Sequence, residues 1–188
     1  MRKIILFIAA FSLHSAGAAV HLKPSGGGVD FIAVGRPSFL KIHGKGKPVT
    51  GELVVQDGQV DGQVDFELNS LDTGIGLRNG HMKEKFLEVA KYPEARLSLS
   101  AQALPRAWSP ESAQMDSVAF TGQLTLHGVS KSVSGHFKIS EEREVEADFK
   151  IKLSDFGIDI PRYAGITVAD EVQIKVRIDD LNELKATR

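Results

Sequence analysis

One feature limits this chain more than any other: beyond residue 19, apolar and polar residues alternate with a period of two, segment after segment. In "QVDGQVDFELN", Val60, Gly62, Val64, Phe66 and Leu68 share one side, against Gln59, Asp61, Gln63, Asp65 and Glu67. The same alternation sets Leu97, Leu99, Ala101 and Ala103 on one face, then Val118, Phe120, Gly122, Leu124 and Leu126. It continues through Val133, Gly135, Phe137 and Ile139, then Val145 to Leu153, and ends in Val172, Ile174, Val176 and Ile178. "GELVVQ", "VDFIAV" and "SFLKIHG" add further strands, and Asp57-Gly58 and His127-Gly128 read as two-residue hairpin turns. The pattern predicts eight or nine antiparallel strands, each with one dry and one wet face. Alternation alone fits a sandwich as well as a barrel; closure into a barrel removes the unpaired edges that so long a sheet would otherwise expose.

Small residues recur on the dry register: Gly62, Ala101, Ala103, Gly122, Gly135 and Ala147. An eight-stranded barrel has an interior that side chains can just fill, or that can hold one slender ligand. Small inward residues shift that balance towards empty volume. They also mark bends and close sheet contacts, so both readings stand at this point.

The first nineteen residues follow a different pattern. Arg2 and Lys3 precede the apolar "IILFIAAFSL" and the small-residue "SAGAA", the three-part form of a secretory leader cut after Ala18 or Ala19. About ten apolar residues are too few to cross a hydrocarbon core of roughly 30 Å. The expected layout is a leader over 1–19 and one domain over 20–188, exported to the periplasm. Without Arg2 and Lys3, 21 Lys and Arg face 24 Asp and Glu, a charge of −3. No basic surplus exists to neutralise phosphates, so nucleic acid is not an expected partner. The absence of cysteine excludes disulfides, thiol catalysis and cysteine-based zinc sites.

One stretch interrupts the strand rhythm, "TGIGLRNGHMKEKFLEVAKYPEARL" from Thr73 to Leu97. Asn79 or Gly80 can open a helix, Met82, Phe86 and Val89 or Ala90 recur at helical spacing, and Tyr92-Pro93 ends it. An amphipathic helix inserted between barrel strands has one place for its apolar side, across an open end.

Four segments in order, "LNSLDTGIGLRNGHMKEKFLEVAKYPEARLSL", "FTGQLTLHGVSKSVSGHF", "LSDFGIDIP" and "ADEVQIKVRI", give the chain its resemblance to the YceI-like family of exported, lipocalin-like polyisoprenoid-binding proteins. The resemblance implies an all-β fold, an eight-stranded antiparallel lipocalin-like barrel with a short amphipathic helix at its mouth. It implies an isoprenoid lipid as the bound ligand, and homodimers occur among such relatives. No other cofactor is expected, and transient contact with a membrane and a homodimer are the partner expectations besides the lipid. Two positions depart from the pattern. Where many relatives carry Phe-x-Val-x-His, this chain has "FIAVGRPSF" with Gly35-Arg36-Pro37, and Arg-Asp-x-His becomes Arg78-Asn79-Gly80-His81. Both changes fall on the polar mouth, so they bear on the headgroup and not on the apolar tail.

The expected tunnel residues are Val60, Val64, Phe66, Leu68, Leu97, Leu99, Phe120, Leu124, Leu126, Phe137, Phe149 and Ile151, with Arg78, His81, Met82, Phe86 and Tyr92 at the mouth or gate. Arg78 and His81 have the donors to meet a phosphate or quinone-type headgroup. No Gly-x-Ser-x-Gly elbow, His-Glu-x-x-His or nucleotide-binding glycine loop is present, and His43, His81, His127 and His136 have no metal-ligand spacing. A non-catalytic carrier without metal is the expectation. An enzyme using Arg78 and His81 on an apolar substrate, and a solidly packed stress or interaction module, are the alternatives. Trp108 falls in a Pro- and Ser-rich hairpin loop, and Pro161-Arg162-Tyr163 in a loop at the rim.

Overall fold

The computed structural model describes residues 19–36, 38–105, 114–163 and 166–183. Residues 1–18 of the expected leader, and Trp108, lie outside the described residues. Twelve strand segments form one sheet: β1 (Val20–Ser25), β2 (Gly28–Arg36), β3 (Lys41–Gly46), β4 (Val49–Gln56), β5 (Gln59–Glu67), β6 (Glu94–Ala103), β7 (Met115–Leu126), β8 (Val129–Ile139), β9 (Val145–Lys152), β10 (Arg162–Tyr163), β11 (Ile166–Ile178) and β12 (Asp180–Glu183).

Register shows that these segments make eight long strands. Ser25 lies opposite Asp180 and Gly28 opposite Arg177, so β1–β12 and β2–β11 are one antiparallel ladder with a break in it. Leu22 lies opposite Leu53 and Val29 opposite Gly46, so β1–β4 and β2–β3 are likewise one ladder. Hence β1 with β2, β3 with β4, and β11 with β12 are single strands, each interrupted once. The first of these pairs with the other two along its length. The order β12-β1-β4-β5-β6-β7-β8-β9-β11-β2-β3 therefore closes on itself. The barrel, not the sandwich, is what the alternation encodes, and β10 only clips onto the start of β11.

Each interruption has a local cause. Gly26 and Gly27 have φ of 73° and 68°, and the Gly27 N–H donates to the Asp179 carboxylate at 2.6 Å. A Cβ on Gly27 would strike the Arg177 carbonyl oxygen. Between β3 and β4, Pro48 has no N–H to give to a ladder. The hairpin turns are as the sequence suggests: Asp57 and Gly58 have φ of 51° and 76°, His127 and Gly128 52° and 75°, the left-handed pair of a type I′ turn.

The pairing shifts in three ladders, between Val60 and Gly62, between Met115 and Val118, and between Val168 and Val172, and the first of these reverses an expected face. Ala101 has a φ of 48°, its N–H donates to Asp61 Oδ1 at 2.9 Å, and the β5–β6 pairing shifts between Val60 and Gly62. This bulge turns Ala101 and Ala103 out to solvent and Gln102 inward, the reverse of the expected faces. Ala101 and Ala103 thus add nothing to the hollow.

Between β5 and β6 the chain crosses one end of the barrel. A 3-10 turn (Leu68–Ser70) buries Leu68, then Asp72 exchanges backbone hydrogen bonds with Lys45 of β3 at 2.8 and 2.9 Å. Helix α1 (Gly76–Gly80) follows, widening into a π-helical turn over His81–Phe86. The helix therefore begins earlier than Asn79 and ends earlier than Ala90. Its half-buried Met82 and Phe86, with Leu87 and Val89, pack on the core.

Candidate ligand-binding site

Large side chains face the lumen from every strand, yet the lumen is hollow, with a cavity of about 680 Å³. That volume lies within the roughly 300–1,000 Å³ typical of small-molecule sites. Glycines on the wall explain how both hold. The Phe31 ring lies over its cross-strand partner Gly44, and a Cβ there would overlap the ring. Phe120 lies over Gly135, with Cε1 at 3.0 Å from where a Cβ would stand. Leu97 and Leu99 close on Gly122, with methyl carbons at 2.9 and 3.1 Å from that position. Rings and methyls thus lie along the wall, over a neighbouring strand, instead of reaching across the axis. The small residues act indirectly: the space beside each is filled, and the space at the axis is left.

All twelve expected tunnel residues line this cavity: Val60, Val64, Phe66, Leu68, Leu97, Leu99, Phe120, Leu124, Leu126, Phe137, Phe149 and Ile151. Phe120 meets Phe149 edge-on at 6.0 Å and Phe137 at 6.4 Å, so three aromatics form one patch of wall. The sequence reading left out the strands that close the barrel, which contribute Phe31, Ala33, Ile42, Val172, Ile174 and Val176. Their alternation is visible in the sequence; the pairing of β11 with β9 and β2, and of β2 with β3, is not.

Among the described residues, only seven polar side chains line the cavity: Lys41, Thr73, Arg78, His81, Lys85, Gln102 and Arg162. Gln102 sits at the far end, where it donates to the Ala103 and Ala119 carbonyls and accepts from the Thr121 N–H. The other six come from the end crossed by the helix. Lys41 starts β3, Thr73 to Lys85 belong to the crossing segment, and Arg162 belongs to β10. None of the lining residues is an Asp or Glu, and no ion pair engages Lys41, Arg78, Lys85 or Arg162 among the described residues.

The rim is braced around buried Thr73. Its N–H and hydroxyl both donate to Asn79 Oδ1, at 2.8 and 2.7 Å. Arg78 donates from Nε to the Thr73 hydroxyl at 2.8 Å and from Nη2 to its carbonyl at 2.6 Å. Two of its five N–H donors are thereby engaged, and the remaining three are available at the mouth. Asn79 also donates from Nδ2 to Asp72 Oδ1 at 2.6 Å, an oxygen that accepts the Gly74 N–H at 2.7 Å as well. These donors hold the Asp72 carboxyl below its ordinary value, with the Asn79 amide the largest cause. Asn79, expected as a helix cap, thus ties the crossing segment together from inside α1. An Asp there could accept from Thr73 but could not donate to Asp72.

Of the expected mouth residues, Arg78, His81, Met82 and Phe86 line the cavity and Tyr92 does not. The Tyr92 ring packs edge-on against His127 at 4.6 Å and lies over Gly128. The chain turns outward at Glu88, whose φ is 45°, and carries Tyr92 over the β7–β8 hairpin instead of the opening. His127, predicted as a turn residue, is also wired: its ring nitrogens contact the Phe156 carbonyl at 3.1 Å and Glu88 at 2.9 Å. His43 and His136 are exposed on the outer wall, and no group of three or more His, Cys, Asp or Glu stands within metal-binding reach among the described residues.

A closed barrel with a dry, hollow axis and one polar mouth sets the terms for comparison with known proteins. The model of the YceI-like domain matches residues 21–179. The chain belongs to the YceI-like family. It is 32% identical over 105 residues to "Protein YceI" of Salmonella arizonae, a match covering 50% of each chain, so it spans about half the length of the curated relatives it matches. Its fold matches that of a polyisoprenoid binding domain from Saccharophagus degradans implicated in plant cell wall breakdown, with a TM-score of 0.63 at 17% identity over 86% of this chain and 97% of that one. It also matches BcnA of Burkholderia cenocepacia, with a TM-score of 0.64 at 23% identity over 80% and 94%. At these identities the two structures establish the YceI-like barrel and nothing finer.

Proposed function

We propose that this YceI-like protein is a periplasmic carrier or store for an isoprenoid lipid, which it binds without chemical change. The observation that carries the reading is the division of the cavity: an apolar length along the axis, and a mouth where the charged side chains lining the cavity, among the described residues, are all cationic. A prenyl chain is branched hydrocarbon and needs only a dry tunnel. Each buried CH₂ contributes on the order of 0.8 kcal/mol, so one five-carbon unit is worth about 4 kcal/mol before ordering costs. The family's polyisoprenoid-binding neighbour supports the same ligand class.

The mouth favours an anionic headgroup. Lys41, Lys85 and Arg162, with the free donors of Arg78, match a polyprenyl phosphate better than a neutral quinone. The leader-like start of the sequence supports export. Native mass spectrometry of protein purified from its own cells, before and after organic extraction, tests the proposal. The expected result is a loss of mass on extraction and recovery of an isoprenoid in the extract. No mass loss, or a bound species without isoprene units, would remove the carrier reading. A headgroup cleaved on incubation with the protein would make it an enzyme instead.

A further inference from the structure

The most exposed large apolar side chains among the described residues are Phe39, Leu77 and Ile75, at 79, 63 and 52% exposure. All three belong to the mouth. Ile75 and Leu77 line the opening themselves, and Phe39 directly precedes Leu40 and Lys41, which also line it. The same rim carries Lys41, Arg78, Lys85 and Arg162, on a chain whose formal charge is −1. Asp72 and Glu84 are nearby in sequence but are not among the lining residues; Asp72 stays ionised, its charge met by the Asn79 amide and the Gly74 N–H. Greasy projections inside a cationic ring, at the one place where a dry lumen opens, form a single surface.

We propose that the mouth rim docks on an anionic phospholipid bilayer. Phe39, Ile75 and Leu77 enter the headgroup–acyl boundary while the four cations meet lipid phosphates. Charge complementarity selects this occupant. A second copy placed mouth to mouth would bring like charges together, which opposes a two-fold pairing of this face. Continuity selects it too, because the exposed apolar residues run directly into the apolar lumen, so a docked barrel offers a tail a path that avoids water. The docking stands on the rim alone; its use for loading and unloading lipid rests on the carrier reading.

The test uses delipidated protein and vesicles of phosphatidylglycerol and phosphatidylethanolamine that contain no isoprenoid, so its outcome is separate from that of the cargo experiment. Flotation with these vesicles is expected at low salt, with little flotation on pure phosphatidylcholine and loss of binding as salt rises. Each of Lys41→Glu and Lys85→Glu should weaken binding at least about fivefold, and Phe39→Ser with Ile75→Ser and Leu77→Ser should abolish it. These positions are exposed, and circular dichroism checks that each variant folds. Lys23→Glu on β1, away from the mouth, should bind as the unchanged protein does. No flotation of the unchanged protein, or equal flotation of the rim variants, overturns the proposal. So does a dimer in solution that the triple serine variant disperses while vesicles are ignored.

Discussion

At the scale of single residues, the hollow depends on hydrogen atoms standing where methyl groups would fit badly. Gly44 is the clearest case, because what a Cβ would meet there is the Phe31 ring. Gly44→Ala should leave the barrel folded but swing Phe31 off the wall into the lumen, lowering the capacity for long apolar ligands; a titration with a fluorescent fatty probe would measure this. Unchanged capacity would mean that the ring finds room elsewhere along the wall. A second prediction concerns Asp72, whose depressed pKa comes first from the Asn79 amide and next from the Gly74 N–H. A carboxyl held below its unfolded value of 3.8 stabilises the fold fully above that pH, and the contribution is lost as pH falls through the lower folded value. The crossing segment should therefore stay ordered down to pH 3.8 and loosen only below it. Asn79→Asp replaces the donor with a like charge and should move the Asp72 midpoint upward, as an NMR titration of the side-chain carboxyl would show.

At the scale of elements, what could be read from the chain divides by range. The Asp57-Gly58 and His127-Gly128 hairpins were legible because a type I′ turn is specified by its own two residues. The inner faces of β5, β7, β8 and β9 were legible because alternation needs no partner to be seen. The bulge at Ala101 was not, since its cause is the Asp61 carboxylate on the neighbouring strand, forty residues away in sequence. Nor was Asn79: capping preference placed it at a helix start, whereas its partners Asp72 and Thr73 put it inside α1. Tyr92 followed the helix pattern in sequence but leaves it in space, because Glu88 turns with a positive φ. The broken strand β1–β2 yields a prediction of its own. Gly27 combines a φ of 68° with a carbonyl oxygen in the Cβ position. Gly27→Val should cost at least about 1–3 kcal/mol through strain. Thermal denaturation should show this as a drop of several degrees, given roughly 2–4 °C per kcal/mol for a chain of this size.

As a whole, the molecule is a barrel closed by pairing and open along its axis. Closure comes from three strands that keep register across their breaks, and openness from rings laid over wall glycines. The tail-binding half of the site was therefore written in local alternation. The mouth was written only in part: Arg78, His81, Met82 and Phe86 stand in one legible segment, whereas Lys41 and Arg162 join them from β3 and β10 only when the barrel closes. Filling the axis while sparing both closure and mouth separates the lumen from every other place a lipid could bind. Ala147 lines the lumen from β9, opposite Phe137 and Val176, and carries the smallest side chain on that part of the wall. The decisive measurement compares native masses of the unchanged protein and Ala147→Trp, purified alike from the same cells and shown folded by circular dichroism. The expected result is an extractable isoprenoid on the first and bare polypeptide for the second; equal lipid on both would place the ligand somewhere other than the lumen.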